Sequence, residues 1–300
     1  NDIDLGNGET TKIFSLEKDF QKFIVENVPS KPTPSVLRNF SAPVKLETPL
    51  SEHDLAFLMV HDSDGFNRWE AGQNYMLRTI NDLIDKPGEI SQEFLGVYKD
   101  LLDRALDPSS DKALMARAIS LPEVSIIAQT RNVVDPQAIY NAREEILDAI
   151  VDHFADRLER IYADNDSGSA FSISAAAMGK RALRNIAMLI RANKRTAMDA
   201  ARAKAHYESA TNMTDRMAAL NLACELDGPA HDEIVTDFYN RFQNYPLVVD
   251  KWFAAQALVP LPKTIAVVNS LKNHIDFNVK NPNRVRSLYS SFAMSNPVCF

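Results

Sequence analysis

The stretch DPQAIYNAREEILDAIVDHFADRLERI, residues 135–161, decides the fold. Asp135-Pro136 is a helix-start signal, because proline lacks the N–H group that the first helical turn leaves unpaired anyway. Apolar residues then recur at three- and four-residue spacing, which places them on one face of a long helix. They are Ile139, Ala142, Ile146, Ile150, Phe154, Leu158 and Ile161. The opposite face is charged, and we interpret it as a solvated face; it carries Glu144, Asp148, Asp152, Asp156 and Arg160.

The helical period extends from Ser51 almost to the end of the chain. Ser51, with Asp54 three residues later, forms a weakened capping box that starts the first helix. Stop signals such as Pro87-Gly88, Asp107-Pro108 and Asp227-Gly228 divide the rest into about twelve helices joined by short loops. This pattern predicts a mainly α fold, an irregular α-solenoid or superhelical bundle of antiparallel helix pairs.

The first 48 residues have a different character. Thr11–Leu16, Gln21–Val28 and Val36–Leu46 are rich in β-branched and aromatic residues, which predicts short strands. Pro43 favours an edge position for the third strand. Two or three strands do not make a stable sheet alone. The residues alone therefore predict a short β remnant at the N-terminus that acts as a small β cap on the helical body.

Composition limits the possible functions. The chain has 300 residues, 45% of them hydrophobic, so it can bury a sizeable core. Forty acidic and 33 basic residues give a formal charge of −7, which argues against a general nucleic-acid binder. Cys224 and Cys299 are too few for a disulfide framework or a zinc knuckle. We find neither an apolar run of about 18 residues nor a basic, apolar start, so we predict no membrane span and a cytoplasmic location.

A search for chemistry finds no reactive constellation. The six histidines are His53, His61, His153, His206, His231 and His274. No two are four residues apart and none precedes a glutamate, so the H-E-x-x-H zinc motif is absent. His206 and Glu208 are two residues apart and point away from each other on a helix. We interpret Cys224, Trp69 and Trp252 as core residues. No catalytic and no metal-binding residue is predicted, and we see no phosphate loop and no nucleophile elbow.

The stretch NPNRVRSLYSSFAMSNPVCF, residues 281–300, predicts a terminal helix. Asn281 can act as the N-cap and Pro282 suits the first turn. Val285, Leu288, Tyr289 and Phe292 share an apolar face, and Arg284 and Arg286 lie off that face. Asn296-Pro297 ends the helix.

The segment NPNRVRSL, followed by an aromatic residue and SNP, resembles the late helical region of bacterial aminopeptidase N, a family of single-zinc metallopeptidases. Four more stretches resemble the same family in the same order, and together they span nearly the whole chain. They are FSAPVKL at 40–46, FNRWEAGQ at 66–73, NMTDRMAAL at 212–220 and VVDKWFAAQAL at 248–258.

The resemblance implies a domain plan and a role. Residues 1–48 would be the last strands of a preceding β-sandwich, and residues 49–300 a helical C-terminal domain that is itself truncated. Both ends of the sequence would then be cuts within a longer protein. The parent enzyme would use zinc to remove N-terminal amino acids from peptides, whereas this chain would hold no zinc and be inactive alone. Its partners would be the catalytic and β-sandwich domains of the same chain, and it would enclose the active-site chamber and limit access of peptide substrates.

The resemblance also implies that a basic residue of the terminal helix faces that chamber. Arginine pairs with a carboxylate through two parallel hydrogen bonds, and the C-terminus of a peptide is a carboxylate. By the motif we expect Arg286 to bind it, with Arg284 as the second candidate. The alternative is that both arginines form ion pairs or capping contacts within the domain.

Two other functions stay open on the sequence. A HEAT-like helical scaffold could bind a protein or peptide on its concave face. An unrelated α-helical enzyme would need acid–base or nucleophilic groups, which we do not find.

Overall fold

The computed structural model describes residues 3–5, 8–26, 28–166, 168 and 171–300, and it confirms a mainly α, solenoid-like fold. The helices are α1 (Glu52–His61), α2 (Gly65–Asp85), α3 (Gln92–Leu106), α4 (Lys112–Ala118), α5 (Val124–Gln129), α6 (Pro136–Asp164), α7 (Ala175–Arg191), α8 (Ala197–Ser209), α9 (Met213–Glu225), α10 (Pro229–Phe242), α11 (Pro246–Ala257) and α12 (Thr264–Leu271). The terminal helix is built from α13 (Pro282–Val285), a π-helical turn (Arg286–Ser290) and α14 (Ser291–Ser295). Short 3-10 turns lie at Arg38–Phe40 and Ala192–Lys194.

The chain divides into two compact units. The first runs to Thr79 and the second covers Ile80–Phe300, so that α2 crosses the boundary. The predicted boundary between residues 48 and 49 is a division by fold type, and it stays a prediction. None of the helices in the described part of the chain combines the length and apolarity needed to cross a bilayer.

The second unit is organised around α6. All seven residues of its predicted apolar stripe are buried. Helix α6 packs against α7, α3 and α5, and α7 also packs against α4. Further along, α8 packs on α9, α9 on α10 and α10 on α11. Packing between successive helices is the pattern of a solenoid, in which each element buries its apolar face against its chain neighbours.

The charged face of α6 is only partly solvated, which corrects the sequence interpretation. Glu144 forms a 2.8 Å ion pair with Arg195, and Asp152 pairs with Lys194. Asp148 accepts a 3.1 Å hydrogen bond from the amide of Asn193. The acidic face therefore anchors the turn between α7 and α8, which lies more than 40 residues away in sequence. Spacing along α6 alone could not reveal that partner.

In the first unit, helix α1 begins at the predicted capping box. The Ser51 side chain accepts a hydrogen bond from the Asp54 backbone N–H, and Asp54 accepts one in return from Ser51.

The strands predicted over Thr11–Leu16, Gln21–Val28 and Val36–Leu46 are not formed among the described residues; Asn27 lies outside them. A strand needs a hydrogen-bonded neighbour, and the described segments do not pair with one another. Their apolar side chains are consequently exposed, with Ile13 at 91% and Ile24 at 66%.

Candidate functional site

The terminal helix holds both arginines that the resemblance singles out. Its start is as predicted: Oδ1 of Asn281 accepts hydrogen bonds from the backbone N–H groups of Asn283 (3.0 Å) and Arg284 (3.4 Å). Pro282 occupies the first turn. The structure then places the two arginines in opposite environments, although they are only two residues apart.

Arg284 is buried, with 5% of its surface exposed. Its guanidinium lies 3.1 Å from a carboxylate oxygen of Asp250 and 5.0 Å from the ring centre of Phe253, and both partners are on α11. The Ser287 hydroxyl donates a 2.9 Å hydrogen bond to the Arg284 carbonyl. The sequence analysis placed Arg284 off the apolar face of the terminal helix and did not predict its burial. Arg284 is buried because α11 supplies the Asp250 carboxylate and the Phe253 ring as partners for its guanidinium. Arg284 fixes the terminal helix to α11.

Arg286 is exposed, and its side chain makes no hydrogen bond or ion pair with the part of the chain that the structure describes. It is the first residue of the π turn. Such turns are rare and are frequent at functional sites. Within this turn Leu288 is buried, whereas Tyr289 is 37% exposed. An unpaired guanidinium on an irregular turn can bind an incoming carboxylate without first breaking an internal ion pair.

The roles of Arg284 and Arg286 in peptide binding remain predictions. The geometry matches the structural alternative for Arg284, which is ion-paired within the domain. It leaves Arg286 available for a ligand.

The described residues do not form a zinc site. No group of three or more His, Cys, Asp or Glu side chains in the described ranges is arranged to hold a metal ion. His231 Nδ1 lies 2.9 Å from the Ala223 carbonyl oxygen and donates a hydrogen bond to it, and among the described residues no second and third metal-binding side chain is arranged around His231. The donor set that zinc requires in a peptidase is therefore not assembled by these residues.

His206 is the most enclosed histidine, with 1% of its surface exposed. Its Nδ1 lies 3.0 Å from the Tyr162 hydroxyl, and the Tyr162 ring is flanked by the guanidinium groups of Arg184 and Arg202 at 4.6 and 4.7 Å. Burial lowers the pKa of His206 to about 4, and the positive charge of Arg184 acts in the same direction. The imidazole is therefore neutral at physiological pH and serves the packing of α6, α7 and α8. Glu208, its sequence neighbour, is exposed.

The structure contains a small cavity of about 80 Å³, which the sequence did not predict. It is lined by Cys224, Asp227, His231, Gln256, Val259, Lys263, Thr264 and Val267. Cys224 is buried as predicted, and burial raises the pKa of its thiol to about 12. The Lys263 ammonium donates to Asp227 Oδ1 and to the Leu226 carbonyl, both at 2.7 Å. A protonated thiol and a paired lysine supply no nucleophile, so the cavity shows no reactive centre.

Comparisons with known proteins agree with the helical architecture of residues 52–300. Residues 52–300 match a family model described as a domain of unknown function (DUF3458_C) with ARM repeats. Residues 2–49 match a second model, described as a domain of unknown function (DUF3458) with an Ig-like fold. The chain is 36% identical over 296 residues to aminopeptidase N of Caulobacter vibrioides and 33% identical over 304 residues to aminopeptidase N of Escherichia coli. These alignments cover 97% and 98% of this chain, but it spans only about a third (34%) of each relative.

A solved structure is similar as well. The crystal structure of Legionella pneumophila aminopeptidase A in complex with aspartic acid superimposes with a TM-score of 0.79 at 30% identity. The match covers 91% of this chain and 33% of that protein. Sequence and structure comparisons therefore each align this chain with about a third of an aminopeptidase.

Proposed function

Since this chain belongs to the family of ARM-repeat domains described by the DUF3458_C model, and is homologous to the C-terminal helical domain of aminopeptidase N, we propose that it serves a zinc-dependent aminopeptidase. The observation that carries the proposal is the coverage: nearly all of this chain aligns with one third of each aminopeptidase N relative. The parent protein removes N-terminal amino acids from peptides. The HEAT-like scaffold is not favoured, because such a scaffold gives no reason for this alignment.

In this proposal the chain limits the access of peptides to the active-site chamber and supplies no reacting group. Its described residues offer no metal-binding set, so the groups that hold zinc and activate water lie in other domains of the parent. The helical domain encloses the chamber over the zinc and admits short peptides with free N-termini. Its partners are the catalytic and β-sandwich domains of the same chain, together with peptide substrates.

The domain boundary belongs to the same proposal. In the parent protein, residues 1–48 pair as the last strands of a β-sandwich, which their described part does not form within this chain, and the Ig-like match over residues 2–49 supports that division. Residues 49–300 are the helical domain. We place the protein in the cytoplasm, where thiols stay reduced, in keeping with the free thiols of Cys224 and Cys299.

Within this domain we propose that Arg286 binds the C-terminal carboxylate of the peptide and that Arg284 is a positioning residue. Arg286 has an exposed, unpaired guanidinium, whereas the guanidinium of Arg284 is occupied by Asp250. A charge-assisted hydrogen bond contributes about 1.5–3 kcal/mol, which corresponds to a factor of roughly 10 to 150 in affinity.

The test uses the whole parent enzyme and pairs of peptides that differ only in having a free or an amidated C-terminus. Arg286→Ala should lower kcat/KM for the free-acid peptides by about tenfold or more and leave the amidated peptides nearly unchanged. Lys280→Ala is the matched control, because Lys280 is another exposed cation just before the terminal helix. Equal losses on both peptides, or no loss on either, would remove Arg286 from substrate recognition.

A further inference from the structure

The terminal helix has one exposed face, and Arg286 shares it with an aromatic residue. Asn283, Arg286 and Tyr289 are exposed at a spacing of three residues, whereas Arg284 and Leu288 between them are buried against the domain. Residues three apart on a helix are neighbours, with Cβ atoms about 5–6 Å apart. The side chains of Arg286 and Tyr289 therefore leave the helix side by side.

Tyr289 offers an open aromatic surface. It is 37% exposed, and its ring packs edge to face on Phe277 with the ring centres 5.3 Å apart. The Tyr289 hydroxyl forms no hydrogen bond with the part of the chain that the structure describes. Phe277 therefore contacts part of the ring, and the remainder is available to a ligand bound at Arg286.

The loop that carries Phe277 is fixed on α10. The centre of the His274 ring lies 4.8 Å from that of Tyr239 in an edge-to-face arrangement. The Tyr239 hydroxyl also donates a 2.6 Å hydrogen bond to the carboxylate of Asp276. These two contacts lie within three residues of Phe277, so the Tyr289 ring packs on a pre-arranged neighbour. A pre-arranged surface binds a ligand at lower entropic cost.

The chemistry of a peptide end matches this pair of side chains. The C-terminal residue of a peptide carries its carboxylate and its side chain on the same Cα atom. A carboxylate bound to the Arg286 guanidinium therefore brings that side chain within reach of the neighbouring Tyr289 ring. Apolar and aromatic side chains gain from contact with a ring, whereas a charged side chain would lose hydration there without finding a partner.

We propose that Tyr289 selects the C-terminal residue of the peptide and favours one with a large apolar or aromatic side chain. The proposal rests on the function proposed above for Arg286, whose positive charge complements the carboxylate of the peptide. It adds a preference that a guanidinium alone does not supply. Contact between two aromatic rings changes an affinity by about twofold to tenfold, and the same factor is expected here between peptides that end in phenylalanine and in alanine.

The experiment measures kcat/KM of the complete parent enzyme on peptides that end in phenylalanine or alanine, at the peptide length for which free and amidated C-termini differ most. The ratio of the two values should fall about twofold to tenfold in Tyr289→Ala and be kept in Tyr289→Phe, which retains the ring. Both substrates are measured on one sample, so the ratio does not depend on the folded fraction of a variant. Tyr245→Ala is the matched control and should keep the ratio, because Tyr245 is 61% exposed and its ring packs on Phe242 instead of Phe277.

The outcomes separate this proposal from the function on which it rests. An unchanged phenylalanine-to-alanine ratio in Tyr289→Ala overturns the proposal, and so does an equal fall of the ratio in Tyr245→Ala. If Arg286→Ala removes the dependence on a free C-terminus while Tyr289→Ala keeps the ratio, the role of Arg286 stands and only that of Tyr289 fails. If free and amidated peptides of every length react equally with the parent, the carboxylate site fails and the selection by Tyr289 fails with it.

Discussion

The buried ion pair between Arg284 and Asp250 gives the sharpest prediction about the terminal helix. We consider three single variants, Arg284→Met, Asp250→Ala and Arg286→Ala, and the double variant of the first two. If Arg284 anchors the helix to α11, its loss destabilises the chain, whereas loss of the exposed Arg286 does not.

The expected losses of stability follow from how deeply the two side chains of the ion pair are buried. The side chain of Arg284 is 6% exposed and that of Asp250 is 16% exposed. Removing one partner of a buried ion pair costs about 3–5 kcal/mol, because the remaining charge is left unpaired. Asp250→Ala should fall in that range, since Arg284 remains enclosed. Arg284→Met should cost less, about 2–3 kcal/mol, because Asp250 keeps some access to water and methionine preserves packing on Phe253. Arg286→Ala should stay within about 0.5 kcal/mol.

Urea unfolding followed by tryptophan fluorescence measures these changes, with Trp252 as the tryptophan of the second unit. Trp252 lies on α11, close to both residues of the pair, and its indole N–H donates a 2.9 Å hydrogen bond to the Val235 carbonyl. The double variant should cost less than the sum of the two single variants by about 1–3 kcal/mol. An additive double variant, or an Arg286→Ala variant as unstable as Arg284→Met, would refute this assignment of the two arginines.

Two further predictions concern stability. The pKa of His206 is lowered to about 4 in the folded chain, so folding favours the neutral imidazole. The contribution of His206 to the free energy of unfolding is therefore complete above the unfolded pKa of about 6.5 and is lost as the pH falls toward 4. Urea unfolding between these pH values should show about 3 kcal/mol of such loss, and a His206→Gln variant that keeps the same pH slope would contradict it. Gly179→Ala should destabilise the chain, because its Cβ would lie 2.9 Å from the Ala113 backbone nitrogen. Gly96 lies on the exposed face of α3 with open space around it, so Gly96→Ala should stabilise the chain by up to about 1 kcal/mol. Thermal melts in which both variants shift the Tm in the same direction would contradict this explanation by packing.

The helical part was predictable because its signals are local. The apolar stripe of α6 and the caps at Ser51 and Asn281 depend on spacing within a few residues, and the structure confirms them. The six-residue helix α5 has no clear sequence signal, since so short a segment gives less than two turns of periodic pattern.

Long-range partners were not predictable from spacing. The acidic face of α6 binds the turn around Arg195, which no pattern within α6 indicates. Trp69 was assigned to the core, but it is only half-buried, beside exposed Phe66.

The candidate site shows the same division between local and long-range information. The resemblance selected Arg284 and Arg286 together, and no spacing rule could separate them. The position of Asp250 and Phe253 on α11 is what buries one arginine and leaves the other exposed. The π turn at Arg286 likewise has no sequence signal that we can identify.

The most direct test of the whole account measures bound zinc and aminopeptidase activity on the purified 300-residue chain and, in parallel, on the complete parent enzyme. The account predicts that the parent cleaves an aminoacyl chromogenic substrate with one zinc ion per chain, and that this chain alone neither retains zinc in stoichiometric amount nor cleaves the substrate. Turnover by the isolated chain with one bound zinc would contradict it, because the fold would then assemble a metal site from residues that we assign to packing.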